Sequence, residues 1–441
     1  MLVIGNLRVA GDVSVTSLLR NCAVALAMLF AGASHAQTIT FDDVMAAPDD
    51  IALNVAYARQ EVKSGRLQQA AAALERILLV QPNYDSARLF YAVVLYRLRD
   101  LKGAVRELEK LEGRPLSPSQ EADRVRYLGL ASNQAKSLRF SARYTLGARL
   151  DGNPGRFSEA ALAAGLAEED ADGALVASSR FRVERDIENG RGDLLFFQSN
   201  GYLNEYFDTA TADLIASRAK AGAVLHGINS SYTPYAFLGV SYLQHERFRT
   251  QYGGGLDTAF TLNSQMTLHL DGYAKYDDYR VTDFSAIGDL RDGWQVGGRV
   301  ALAYRPTDKQ SFRFTLHGRD KDAKFDGYSY DRWGFRFDSR TLFGEGRYLA
   351  LTAAYSDTQY DAPDNVLSAA QARDDERLYL RSAVGAPLAT IFQSADIELP
   401  EKIGSIVAQI GVSYTNQNSN IPLLDYDNLS GDILFTKRFN F

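Results

Sequence analysis

From Leu138 to the end of the chain, apolar and polar residues alternate with a period of two. In "GWQVGGRVALAY", Trp294, Val296, Val300, Leu302 and Tyr304 share one face, and Gln295, Gly297, Arg299, Ala301 and Ala303 share the other. In "SIVAQIGVSY", Ile406, Ala408, Ile410, Val412 and Tyr414 alternate with Ser405, Gln409 and Ser413. This is the pattern of strands with one greasy face. Such segments lie near 138–150, 173–187, 192–206, 210–225, 232–246, 250–263, 265–281, 292–305, 310–322, 328–341, 347–360, 373–386, 403–416 and 430–441, which predicts 14 strands. Each has roughly 22 residues including its connection, enough for the ~9–11 that cross a bilayer and a turn. Tyr304, Tyr348 and Tyr414 fall at segment ends, where a barrel carries its interfacial aromatics. The last segment, "SGDILFTKRFNF", sets Ile433, Phe435, Phe439 and Phe441 against Asp432, Thr436, Arg438 and Asn440. In an open sheet it would be an exposed, aggregation-prone edge. Pairing with the first segment, "LRFSARYTLGARL", removes the edge by closing a barrel. Phe435, Phe439 and Phe441 are the expected closure residues.

Between Asp49 and about Lys136 the period is helical, and it repeats. "SGRLQQAAAALERILLVQPN" aligns with "LRDLKGAVRELEKLEGRPLS" at an offset of 34, placing Leu67 with Leu101, Ala70 with Ala104 and Leu74 with Leu108. This resembles the tetratricopeptide repeat. Gly65 and Pro82 stand where that repeat has its turn glycine and terminating proline, and Ala92 where two helices approach closely. The second copy has Arg99 in the glycine place and Pro115 one residue early. Leu67, Ala70, Leu74, Ala92, Leu101, Ala104 and Leu108 are the expected packing positions, and "SPSQEADRVRYLGLASNQAK" reads as a capping helix.

The first residues change the compartment. Arg8 and Arg20, the apolar run Ala23 to Ala33 and the small residues Ser34 and Ala36 read as a secretory signal cleaved after Ala36. The run is too short for the ~18 residues of a spanning helix. The expected organisation is a signal peptide (1–36), a periplasmic tetratricopeptide-like helical domain (37–137) and a 14-stranded antiparallel outer-membrane barrel (138–441). Removing the signal takes away the only cysteine, Cys22, so disulfides and thiolate chemistry are not expected. It also removes Arg8, Arg20 and Asp12, taking the formal charge from −6 to −7, and no nucleic-acid partner is expected. The 24 Tyr and 23 Phe fit an aromatic-rich barrel.

Catalytic chemistry is sparse. His226, His245, His269 and His317 show no metal-ligand spacing, and there is no nucleophile elbow or phosphate-cradling loop. No enzyme activity, cofactor or metal is expected. His269 with Asp271, Arg299, and His317 with Arg319 share the polar face of their strands and are expected to line the lumen. Runs such as "EEDAD" and "RDDER" read as solvated loops.

The last 80 or so residues carry a family resemblance. "YDAP" (Tyr360 to Pro363), "ARDDERLYL", and "YTNQNSNIPLLDYDNLSGDILFTKRF" with Tyr414, Ser419, Asn420, Pro422, Tyr426, Lys437 and Phe439 resemble the surface lipoprotein assembly modifiers (Slam), also described as type XI secretion translocons. The resemblance implies periplasmic tetratricopeptide repeats joined to a 14-stranded barrel in the outer membrane of a Gram-negative bacterium. It also implies delivery of a client lipoprotein or secreted protein to the cell surface. The C-terminal aromatic strand likewise resembles the signal read by the barrel-assembly machinery, with Phe439 and Phe441 in its aromatic positions and Thr436 where glycine is usual. A polysaccharide-export porin, which also fuses such repeats to a barrel, is the alternative.

Overall fold

A computed structural model of the chain describes residues 39–440 except 165–170, 190, 283–284, 286, 365–369 and 394. The signal segment and Phe441 lie outside the described residues.

Six helices come first: α1 (Phe41–Ala46), α2 (Ile51–Lys63), α3 (Leu67–Val80), α4 (Asp85–Arg97), α5 (Leu101–Glu109) and α6 (Pro118–Gln134). Side-chain caps start several of them. The carboxylate of Asp50 accepts from the Leu53 amide at the start of α2, and that of Asp100 accepts from the Gly103 amide at the start of α5. Ser117 and Gln120 form a reciprocal box that brackets Pro118, which occupies the first helical position, the ordinary place for a helix-initiating proline. The two copies of the repeat share their turn: Gly65 has φ +76° and Arg99, 34 positions on, has φ +67°. A left-handed residue ends each first helix, and the second copy achieves it without glycine. Ala70 and Leu74 are fully buried in a cluster with Tyr57, Ile77 and Val94, with Leu67 packed against it. Ala92 and Leu108 are buried with Leu89 and Leu111, and Ala104 with Leu95 and Ala131, while Leu101 is buried at the head of α5. No helix among the described residues is long and apolar enough to cross a membrane.

The strands are β1 (Leu138–Asp151), β2 (Asp172–Asp186), β3 (Leu194–Tyr206), β4 (Leu214–His226), β5 (Ser230–Leu243), β6 (Glu246–Thr261), β7 (Met266–Tyr279), β8 (Gly293–Thr307), β9 (Gln310–Ala323), β10 (Tyr330–Leu342), β11 (Tyr348–Pro363), β12 (Ala372–Pro387), β13 (Val407–Ser419) and β14 (Tyr426–Asn440). Each pairs antiparallel with its neighbours and β14 returns to β1, so the sheet is a closed 14-stranded barrel. The seam runs in register from Ser141↔Asn440 to Asp151↔Ser430. Leu146 lies opposite Phe435 on its outer face, and the Tyr144 and Phe439 rings meet edge-on at 6.1 Å. The Thr145 and Thr436 hydroxyls bond at 2.9 Å on the inner face. Gly147 is required there, because a Cβ would lie 2.0 Å from the Ile433 carbonyl oxygen.

The outer wall is apolar. Leu146, Leu238, Val300, Leu316, Ile410 and Ile433 are each about half or more exposed on it, as lipid-facing residues are. Tyr252 stacks on Tyr276, which meets Trp294 edge-on, in a row across β6–β8, and Trp333 contacts Tyr355 at a tilt across β10 and β11. Several expectations need correction: the strand expected at 210–225 begins at Leu214, after a 3-10 turn at Ala210–Ala212, and the one expected at 250–263 begins at Glu246. Tyr348 is not an outward girdle residue: it points inward, buried, with its hydroxyl donating to Gln409 at 2.8 Å and Arg340 over its ring. The segment expected as strand 403–416 starts later: after α7 (Glu159–Ala163) in the β1–β2 connection, two more short helices, α8 (Leu388–Gln393) and α9 (Glu401–Gly404), lie in the β12–β13 connection, and Ile403 and Gly404 belong to α9. Pro400 precedes α9 and fits its start. The final strand begins earlier than 430, at Tyr426.

The luminal wall as candidate functional site

Alternation places one residue in two of every strand inside the barrel, so the lumen is built from the polar set. Asp271, Arg299, His317 and Arg319 converge on one cavity of about 560 Å³, whose wall also includes Arg218, Lys220, Arg249, Gln251, Asp257 and Lys275. His269 shares their strand face but does not line this cavity. Register explains the convergence: Asp271 lies opposite Arg299 across β7–β8, and Arg299 opposite His317 across β8–β9.

The carboxylates are already engaged. Asp271 accepts from the Arg299 guanidinium and from the Thr258 amide, not from His269, so the histidine and carboxylate do not form a pair. Asp257 accepts from Lys220 at 2.7 Å, and Asp277 from Lys275 at 2.9 Å and Gln251 at 2.6 Å. Arginines are left over: the Nε atoms of Arg249 and Arg319 are buried without a hydrogen-bond partner. Rings flank the cations, with Lys220 Nζ 3.3 Å from the centre of Tyr235 and Arg218 4.9 Å from that of Phe237. Such a surface can hold anions and polar chains. Among the described residues no three His, Cys, Asp or Glu side chains are placed to hold a metal.

Toward the end of the barrel away from the helices lies a second luminal space of about 620 Å³. The β1–β2 connection contributes Pro154 and Phe157 to it, facing Arg377 and Tyr379 of β12. At the same end of β12 and β13, a residue that carries the family resemblance ties the strands: the Asn420 side chain donates to the Ala372 carbonyl and accepts from the Asp374 amide, extending the ladder past the last strand pair. At the other end, Lys437 donates to the Lys402 carbonyl and Ser405, fastening α9 beneath β14. Arg381 and Asp432 form a two-point pair, 2.6 and 2.8 Å, that spans β13 from β12 to β14. The sequence signal for these residues was present as Arg or Asp at luminal phase, but their partners lie on other strands.

The helices meet the barrel at the end where β1 begins and β14 finishes. Gly65 approaches the β6–β7 turn at Leu262 and Asn263, and Arg99 approaches Gly192 in the β2–β3 turn. A groove of about 300 Å³ opens on the helices between Val55 and Arg59 of α2, Tyr84, Phe90 and Gln120. Its framework is held by charge. The Arg66 guanidinium bonded to Glu61 holds that buried carboxyl below the usual glutamate range. Burial would raise Glu107, but hydrogen bonds from Lys110 and Arg88 outweigh it and hold this carboxyl low as well.

No curated protein matches the sequence. Among solved structures the chain is similar to OmpT, an outer membrane protein of Vibrio cholerae (9% identity, covering 69% of this chain and 100% of that one, TM-score 0.37). It is also similar to OccAB1 of Acinetobacter baumannii (8% identity, 69% and 97%, TM-score 0.37) and OprD from Pseudomonas aeruginosa (11% identity, 69% and 94%, TM-score 0.35). The family model of the surface lipoprotein assembly modifiers matches residues 177–439, more than half of the chain and far upstream of the terminal segments that carry the resemblance, so this protein belongs to that family.

Proposed function

We propose that this outer-membrane barrel is a translocon that delivers a client lipoprotein, or a secreted protein, to the cell surface. The family match supports it most directly, and one observation of this chain carries the mechanism: a helical region with an open groove is seated on the strand turns at one barrel mouth. Short turns of such barrels face the periplasm, so that mouth is the periplasmic one in this reading. A passive porin has no use for a docking module there. A translocon must hold a partly folded client at the entrance, and stacked helix pairs offer a concave surface for doing so.

The lumen in this reading is a conduit without a catalytic step, and the barrel-assembly machinery inserts the chain by way of its terminal aromatic strand. The decisive experiment deletes residues 49–136 and expresses the remaining barrel beside a candidate client. The barrel is expected to fold, because its strand pairs close within β1–β14, while client display is lost. Accessibility to protease added to intact cells measures display. Undiminished display without the helices would refute the docking role, and loss of glycan export instead would favour the polysaccharide-export alternative.

A further inference from the structure

Arg143 in β1 lies directly opposite Arg438 of β14 on one side and Arg180 of β2 on the other. The same hydrogen-bonding row continues from Arg180 to Asn200 of β3 and on to Arg218 of β4, which lines the luminal cavity. Among the described residues, the ion pairs leave all four arginines without a carboxylate; Arg180 is bonded only to the Asn200 amide oxygen at 3.1 Å and Arg218 to that of Gln251 at 2.9 Å. Their neighbours differ. Two residues from Arg180, Arg182 is paired with Glu184 at 2.7 Å, and Arg139 reaches the same carboxylate at 3.1 Å.

Like charges set directly opposite one another destabilise a sheet. Three arginines in adjacent register at the seam are therefore a cost to folding, and an anionic ligand is what would offset it. We propose that this arginine row is a binding track for an extended, carboxylate-rich stretch of the polypeptide in transit, an inference that rests on the translocon reading above. The spacing suits such a chain. Adjacent strands are about 4.8 Å apart, so Arg438 to Arg180 and Arg180 to Arg218 are each two steps, roughly 10 Å. A peptide in the extended polyproline II conformation advances about 3.1 Å per residue with three residues per turn, so acidic side chains three apart share a face about 9 Å apart and reach successive arginines. Guanidinium and carboxylate meet in a two-point geometry that favours this pairing. The strands of such barrels tilt by about 35–45°, so the row climbs the wall from the mouth beside the helices toward the cavity rather than ringing it. There it meets the unpartnered Nε atoms of Arg249 and Arg319.

The test uses the purified full chain and a fluorescent Asp/Glu-rich peptide of about 12 residues, long enough to span the row. Anisotropy is expected to show binding that weakens with salt, and that weakens by about tenfold or more in the triple variant Arg143→Gln, Arg180→Gln, Arg438→Gln. The triple variant should fold at least as well as wild type, since it removes repulsion; a merely structural role predicts the reverse. Arg182→Gln, which removes one luminal positive charge off the track, should leave affinity within about twofold. Equal binding by the triple variant, or equal binding of a Lys-rich peptide, overturns the proposal. Binding of a uronic-acid oligosaccharide with none of the peptide overturns it too, and assigns the row to an acidic glycan. Surface display of a lipoprotein by the wild-type chain tests the translocon reading separately. Display without peptide binding rejects the track alone, whereas peptide binding without display rejects the translocon reading and leaves an acidic-polymer site in place.

Discussion

Arginine placed at position 300 should destabilise the barrel far more than loss of the arginine beside it. Val300 is the middle residue of β8 and stands outward, opposite Leu270 and Leu316 on the adjoining strands. All three are exposed to the surroundings of the barrel, which at that depth are hydrocarbon. A guanidinium there has no carboxylate within the apolar row, and Arg at the midplane of a lipid face costs about 2–4 kcal/mol. That is roughly a 30- to 700-fold change in the folding constant. Arg299 points into the lumen, where its side chain is 55% exposed and pairs with Asp271. An ion pair so open to water contributes at most about 1 kcal/mol, and Asp271 keeps its bond from the Thr258 amide when the arginine is gone. So Val300→Arg should shift the denaturant midpoint for folding into lipid vesicles strongly, Arg299→Ala weakly, and Val300→Ala in between. Trp294 and Trp333, the only two tryptophans, both stand on the outer wall, so their emission reports insertion directly. Equal penalties at 299 and 300 would refute the register, and a larger one at 299 would invert the assignment of faces.

Replacing Phe435 and Phe439 by Ala strips the outer face of the seam and should abolish the folded, heat-modifiable form in outer membranes, as seen by gel mobility with and without boiling. Gly147→Val forces a side chain against the Ile433 carbonyl and should cost about 1–3 kcal/mol in refolding titrations, with Gly201→Val, which meets only a serine hydroxyl, costing less. Asp432→Asn leaves the largely buried Arg381 unpaired and should cost about 3 kcal/mol by the same titrations; a value near zero would show that water replaces the pair. In the helical region, the Glu61 carboxyl is held below its ordinary value of 4.5 by Arg66, so the stabilisation is complete above that pH and is lost as pH falls through the lowered value. Thermal melts of the chain, followed by the helical signal, should therefore decline below about pH 4.5 in wild type, and Glu61→Gln should flatten that decline.

The strands were legible because lipid imposes a rule on every second residue. Trp294, Val296, Val300, Leu302 and Tyr304 cannot all face hydrocarbon unless the intervening residues face inward, and this fixes the phase of Arg299 from sequence alone. Where the environment is not lipid, the rule lapses. Tyr348 sits at the first residue of its strand, and a tyrosine there is equally at home packed under Arg340 or at an interface. The α8–α9 connection escaped because six- and four-residue helices carry too few turns to show a period, and Ile403 runs straight into the strand pattern that follows. At Arg99 the sequence departs from glycine while the backbone keeps glycine's conformation, since the turn between two packed helices is set by their contact.

The arginine row was illegible for a different reason. Which residues stand side by side depends on register, and at the seam the partners are far apart in the chain, as Thr145 and Thr436 are at a separation of 291. Net charge gave no hint of it either. The chain is formally acidic at −6, yet Asp331 lies opposite Asp320, and Glu376 opposite Asp357, on the outward face that also carries Trp333 and Tyr355. Arg143, Arg180, Arg218 and Arg438 occupy the inward one. A total charge averages two surfaces that meet different partners, and the helices besides, so the negative sum says nothing of what the interior attracts. The two-residue period assigns each charge to a face before any sum is taken, and it is the per-face charge that decides which polymer a conduit can hold.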